Sequence, residues 1–189
     1  MPEQRRTIGI AGVPGAGKST YAASYVARLH VPAAYLPMDG FHLADVALRD
    51  LGLLDRKGAP ETFDAWGYAA LLHRLRTREP QTVYAPRFER ELEQPLAGAI
   101  AIVPETEVVV TEGNYLLLDR PEWRAVRAEL DEVWFLDVDD DLRRERLLAR
   151  HTRFGKTPEQ ATAWVDRVDD PNARLVEQSR DRADRIICL

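Results

Sequence analysis

The chain has 189 residues, 45% hydrophobic and 30% charged, enough for one globular domain with a proper core. Lys and Arg number 26 against 31 Asp and Glu, a formal net charge of −5, which excludes the overall basic field of a nucleic-acid binder. No run approaches the roughly 20 apolar residues of a membrane span, the Met-Pro-Glu-Gln-Arg-Arg start lacks a signal-peptide stretch, and the single cysteine permits no internal disulfide.

These features lead us to expect a cytoplasmic protein with no nucleic-acid or membrane partner; a homodimer is left open. Thr7 to Ala11 predicts a buried strand, followed by a glycine-rich stretch and a helix over Tyr21 to Leu29. Ala34 to Met38 predicts a second strand ending at Asp39-Gly40. Asp64 is placed to cap a helix over about Ala65 to Arg78, with Tyr68, Leu71, Leu72 and Leu75 on one face. Thr82 to Arg90 and Leu96 to Val103 form a candidate hairpin, and Val108 to Thr111 a further buried strand. A short helix with Pro121 in its first turn precedes a strand over Val133 to Val138. An Arg-rich helix spans about Asp140 to Arg153. Thr157-Pro158-Glu159-Gln160 then opens a helix over about Pro158 to Val168, which Asp169-Asp170-Pro171 is expected to stop while starting another. Arg185 to Leu189 is the last strand, with Cys188 read as a small buried hydrophobe. Strands without polar alternation, separated by helices, indicate an α/β fold with a five-stranded parallel sheet covered on both faces. The whole of 1–189 is read as one domain, with an insertion at about 40–107 and a lid at about 140–157.

Gly12-Val13-Pro14-Gly15-Ala16-Gly17-Lys18-Ser19 matches G-x-x-x-x-G-K-[ST] at every fixed position, between a predicted strand and a predicted helix. Glycines let backbone N–H groups close around phosphate oxygens, and the helix start adds its positive dipole end. Lys18 is expected to reach the β- and γ-phosphates of ATP, Ser19 to ligate Mg²⁺, and Thr20 to complete the cradle. Two acids, Asp39 and Glu112, follow predicted strands, where parallel sheets bind ligands. If their strands flank the first, both carboxylates face the γ-phosphate. An alcohol needs its proton accepted before it attacks, and a positioned carboxylate supplies about 10²–10⁴-fold in rate. Asp39 is the candidate base and Glu112 the candidate for Mg²⁺ ordering or acceptor binding; the two roles remain exchangeable, so both count as candidate metal ligands.

Arg143, Arg146, Arg150 and Arg153 recur on one side of the Arg-rich helix, a pattern suited to a lid that neutralises a transferring phosphoryl group. Arg146, Arg150 and Arg153 are therefore candidate nucleotide contacts, with Arg150 as the catalytic cation. His42, Arg56, Tyr84, Arg87 and Tyr115 are candidate acceptor contacts, because rings and charged forks suit a small polar acceptor. His30, His42, His73, His151 and Cys188 show no zinc-ligand spacing. The four tryptophans, Trp66, Trp123, Trp134 and Trp164, are read as packing residues.

The motifs G-V-P-G-A-G-K-S-T (Gly12 to Thr20), M-D-G-F-H (Met38 to His42), R-K-G-A-P-E-T-F-D (Arg56 to Asp64), Y-A-P-R-F-E-R (Tyr84 to Arg90) and T-E-G-N-Y-L-L-L (Thr111 to Leu118) run through nearly the whole chain. With W-F-L-D-V (Trp134 to Val138) and Arg146 to His151, they make the chain resemble the P-loop kinases that include uridine kinase, pantothenate kinase and phosphoribulokinase. It is most similar to a bacterial branch named for fructose-transport-system kinases and nucleoside/nucleotide kinase-like proteins. The resemblance implies a lid and an acceptor-binding insertion on the sheet. It implies that Asp39 activates the acceptor, that Glu112 is the second acid, that Arg146, Arg150 and Arg153 lie in the lid, and that Asn172 contacts a ligand. The expected activity is ATP- and Mg²⁺-dependent phosphorylation of a hydroxyl on a small molecule, a nucleoside such as uridine or a sugar such as fructose. The alternative is a P-loop NTPase acting as a switch or assembly factor without such an acceptor.

Overall fold

The computed structural model describes residues 4–189. In chain order the elements are β1 (Arg6–Gly12), α1 (Lys18–Arg28), β2 (Ala33–Pro37), α2 (Asp45–Asp50), α3 (Ala65–Arg76), β3 (Val83–Glu89), β4 (Gln94–Ile102), β5 (Val108–Gly113), α4 (Pro121–Ala128), β6 (Glu132–Asp137), α5 (Asp140–Arg153), α6 (Pro158–Trp164), α7 (Asp170–Glu177) and β7 (Arg185–Cys188). Five strands form a parallel sheet in the order β2-β5-β1-β6-β7, while β3 and β4 pair antiparallel as a separate hairpin. The central strands read as continuous apolar runs because helices cover both faces: Ile8, Ile10, Val109, Val110, Phe135 and Leu136 are all buried. The expected flanking of β1 by both acid-bearing strands is corrected. β5 does lie beside β1, but β2 lies beyond β5.

Register brings the functional ends level. Glu112 is opposite Ile10 on one side and Pro37 on the other, so all three strands finish at one edge. The chain after β2 turns at once into a 3₁₀ segment, Met38–Phe41, which carries Asp39 over that edge. Gly40 is required there, because a Cβ would collide with the Pro86 carbonyl of the hairpin. Arg5 ties the insertion down, donating to the carbonyls of Leu75 in the last turn of α3 at 2.6 Å and of Thr106 just before β5 at 2.7 Å. Asp64 caps α3 through Gly67 N–H at 2.8 Å, a bond whose loss typically costs about 1 kcal/mol.

Three expectations are corrected. Thr157 does form a capping box with Gln160 and a new α-helix does start at Asp170-Pro171, but the chain does not leave the helical path between the two. A π turn over Val165–Asp169 joins α6 to α7 with right-handed helical backbone throughout, so the chain passes the proline by widening one turn. Cys188 is exposed, because β7 is an edge strand. Trp123 and Trp134 are core residues, but Trp66 is 61% exposed, since it faces outward in the first turn of α3. No helix of the described residues is long and apolar enough to cross a membrane.

Candidate active site

The chain between β1 and α1 wraps into a loop whose backbone only glycine tolerates. Gly15 and Gly17 have φ of 84° and 90°, in the left-handed region. A Cβ on Gly15 would also stand 2.6 Å from the Arg143 carbonyl and 3.0 Å from Leu147 Cγ, so α5 packs directly onto the loop. Lys18, buried at the start of α1, donates from Nζ to the Val13 carbonyl at 2.9 Å and folds back over the loop. Burial pushes its pKa down to about 8, against the pull of Glu112 and Asp39. Exposed Ser19 donates from Oγ to Glu112 Oε1 at 3.1 Å. Gly12, Val13 and Ala16 are buried, so they offer backbone rather than side chain.

The two acids are held differently. Glu112 is buried and accepts on Oε1 from both Ser19 and Tyr35, the latter at 2.8 Å. Burial and the nearby Asp39 charge raise its pKa, and Lys18, Tyr35 and Ser19 offset only part of that. Asp39 accepts from Arg90 Nη2 at 2.5 Å, while its backbone carbonyl faces His42 Nδ1 at 2.8 Å. Burial pushes Asp39 up, but His42, Arg90, Arg150 and Lys18 together pull it below its ordinary value. The His42 ring is driven toward its neutral form, chiefly by burial, so Arg90 and Arg150 are the dependable cations beside Asp39. Two neighbouring carboxylates whose pKa values are pushed apart divide the work: Asp39 stays ionised while Glu112 retains a proton more readily.

A cavity of about 500 Å³ joins these groups, with Gly15, Lys18, Ser19, Asp39, Glu112 and Arg150 all on its wall. Its far side comes from the insertion, through Lys57, Phe63, Phe88 and Arg90, and from the α6–α7 segment, through Trp164, Asp169 and Asn172. Arg146 lines the mouth and points Nη1 at the Ala16 carbonyl, 3.4 Å away. Asp169 sits in the π turn and pairs with His151 at 2.7 Å.

The structure brings Pro14, Gly15, Gly17, Lys18, Ser19, Thr20, Asp39, His42, Glu112, Arg146, Arg150 and Asn172 onto one cavity. Gly12, Val13 and Ala16 stay beneath its wall, and five expected side-chain contacts stay off it. Arg153 is exposed and stacks on Phe154, because α5 turns it away from the loop. Arg56 is exposed and paired with Glu61. Tyr84 is 62% exposed on the outer side of β3, and Arg87, three residues on and across a β-bulge, is exposed too and lies 3.9 Å from Glu89. Tyr115 is fully buried beside Trp123, its hydroxyl donating to the Gly58 carbonyl, which makes it a strut beneath the insertion. Sequence reasoning missed Tyr35, Lys57, Arg90 and Asp169. Arg90 and Lys57 carried a signal, as the last residue of Y-A-P-R-F-E-R and the second of R-K-G-A-P-E-T-F-D.

The donor set fits the groups a P-loop implies. A ring of loop N–H groups with a buried ammonium suits the phosphates of ATP. Among the described residues no three His, Cys, Asp or Glu side chains form a metal cage. One hydroxyl and one or two carboxylates are instead what Mg²⁺ uses when phosphates and water complete its shell.

Residues 7–188 match the model of the Phosphoribulokinase / Uridine kinase family. The crystal structure of a "putative fructose transport system kinase" from Silicibacter sp. TM1040 is 39% identical, with a TM-score of 0.90 over 99% of this chain and 91% of that one. The Escherichia coli (strain K12) protein YggC is 34% identical over 98% of this chain and 78% of its own length. An Aspergillus versicolor protein named "ATP-dependent kinase-like protein notR'" is 38% identical over 67% of this chain and 77% of its own length.

Proposed function

The chain belongs to the phosphoribulokinase / uridine kinase family of P-loop kinases, and on that premise we propose that it transfers the γ-phosphoryl group of ATP to an alcohol on a small polar molecule. The observation that carries the proposal is the shared cavity: the phosphate loop, Lys18, Ser19, Asp39 and Glu112 face one space of about 500 Å³, large enough for more than phosphates alone. An NTPase switch needs only to position water. An acid pair on a cavity whose far wall comes from the insertion favours an acceptor. Names of relatives, the Silicibacter kinase above all, keep sugars such as fructose in view. The family name keeps nucleosides such as uridine.

Each residue then has a task. Loop N–H groups and Lys18 hold the β- and γ-phosphates, with Lys18 giving up the Val13 carbonyl to do so. Ser19 and Glu112, with Asp39 adjacent, would hold Mg²⁺; when bound, that ion supplies charge neutralisation across the β- and γ-phosphate oxygens. Asp39 accepts the hydroxyl proton as the acceptor oxygen bonds to the γ-phosphorus. The bond from that phosphorus to the β,γ-bridging oxygen breaks, and ADP leaves with the electron pair. Arg150 faces the charge that builds up on the moving group. We assign this activity to the cytoplasm, where ATP is plentiful.

An ATP-consumption screen over nucleosides, sugars, sugar acids and vitamin-like alcohols tests the reading. Turnover that rises with one class of alcohol and yields the phosphorylated alcohol is the expected result. ATP hydrolysis indifferent to every alcohol would sink it.

A further inference from the structure

Arg90 is the first residue after β3, in the turn of the hairpin. It pairs with Asp39 at 2.5 Å, on a carboxylate oxygen of the residue read above as the base. An oxygen so engaged is a poor proton acceptor. Its guanidinium lies 5.1 Å from the centre of the Phe88 ring, and the Lys57 ammonium lies 5.4 Å from that same centre. Lys57 is little exposed, pairs with Asp45 at 2.7 Å, and also donates to the Glu93 carbonyl at the hairpin tip. Two cations are therefore gathered on one ring, on the insertion side of the cavity.

This pair is separate in origin from the cations of the phosphate side. Lys18, Arg146 and Arg150 come from the loop after β1 and from α5. Arg90 and Lys57 come from the insertion beyond β2, at the opposite edge of the sheet. Both groups line the cavity. Arg90 and Arg150 also stand close enough to repel across Asp39, which an anion placed between them would relieve.

We propose that Arg90 is the acceptor-recognition cation of this site, and that the acceptor is a hydroxy compound bearing an anionic group, a carboxylate or a phosphate. On binding, the anion takes the guanidinium from Asp39 and leaves the carboxylate free to accept the hydroxyl proton. Lys57 adds its charge beside the same Phe88 ring. A neutral alcohol has no anion to offer Arg90, so the base stays engaged. The inference deepens the kinase reading and rests on Asp39 as the base.

The test uses the full chain with Mg-ATP and matched acceptors: neutral sugars and nucleosides in one arm, sugar acids in a second, sugar phosphates in a third. Transfer confined to the anionic arms is the expected result, and the arm that turns over tells carboxylate from phosphate. Arg90→Ala should raise KM for that acceptor by about 10- to 100-fold, the worth of a charge-assisted hydrogen bond, while KM for ATP stays unchanged. Arg90→Lys, which keeps the charge but loses the planar fork, should fall between. Transfer to neutral alcohols alone would overturn the inference and leave the kinase reading intact. So would an Arg90→Ala effect on KM for ATP instead of the acceptor. Hydrolysis that ignores every acceptor would end both.

Discussion

The phosphate side and the acceptor side of the cavity are built in opposite ways. The core of the phosphate side is one uninterrupted stretch, Gly12 to Thr20, whose geometry is local, with positive-φ glycines, a helix start and a buried lysine, and Arg146 and Arg150 join it from α5. The acceptor side is assembled from Asp39, Lys57, Phe88 and Arg90, which meet only because the insertion folds back over the β2 edge of the sheet. The first is rigid by covalent proximity. The second is held by ion pairs that a ligand can exchange. A local cradle suits the shared donor, whose phosphates are constant, while exchangeable pairs suit the part of the reaction that varies between relatives.

If that division is right, substitutions on the two sides should separate in their effects. Asp39→Asn should cost about 10²–10⁴-fold in the rate of transfer and leave ATP binding nearly unchanged, as single-turnover kinetics and calorimetry would read it. Lys18→Ala should act on the other side, with transfer down by about 10²–10³-fold and ATP affinity lost together, because one cation serves both. A Lys18 variant that binds ATP normally would break the comparison.

Gly15→Ala sharpens it. The left-handed backbone and the Arg143 carbonyl both oppose a methyl group, so about 1–2 kcal/mol of stability and much of the ATP affinity should be lost, seen by denaturant melts and nucleotide titration. Charge gives a milder test. Lys18 has its pKa lowered to about 8 in the free protein, so its cation is present below that pH and is lost as pH rises through it. ATP affinity should therefore weaken between about pH 7 and pH 9 in calorimetry, even though bound phosphates oppose the deprotonation. Asp39, depressed, stays ionised to below the ordinary carboxylate range, so the acid limb of kcat/KM should lie low.

The smallest effects belong to residues that resemble site residues in the sequence and stand off the cavity. Tyr115→Phe removes the hydroxyl bonded to Gly58 and should cost about 1 kcal/mol in stability without shifting the acceptor KM. Arg87→Ala should change stability by less than about 0.5 kcal/mol and leave kcat/KM within about twofold.

The apolar runs of β1, β5 and β6 and the G-x-x-x-x-G-K-S spacing carry their own geometry. Short-range sterics and hydrophobic burial fix them wherever they occur, so the α/β class, the five-stranded parallel sheet and the phosphate loop could be read from the chain directly. The hairpin over β3 and β4 was visible for the same reason, while its placement against Gly40 was not. Pro171 in a continuous helix was missed because a π turn is stabilised by packing of α5, α6 and α7, which outweighs the local preference of proline.

Side-chain direction in the insertion was the other loss. Tyr84, Arg87 and Arg90 sit in one motif, and alternate residues of a strand face opposite ways, so composition could not tell which of them turns inward. The strand order that puts β2 beyond β5, the Ser19–Glu112–Tyr35 contact, and the Arg90–Asp39 pair likewise join residues tens of positions apart. The sequence alone determined the glycine-rich loop and helix start that we read as the core of the donor site, because those parts are neighbours along the chain. Only the tertiary structure decided what stands opposite it, because those parts become neighbours when burial of the shared core fixes their distances.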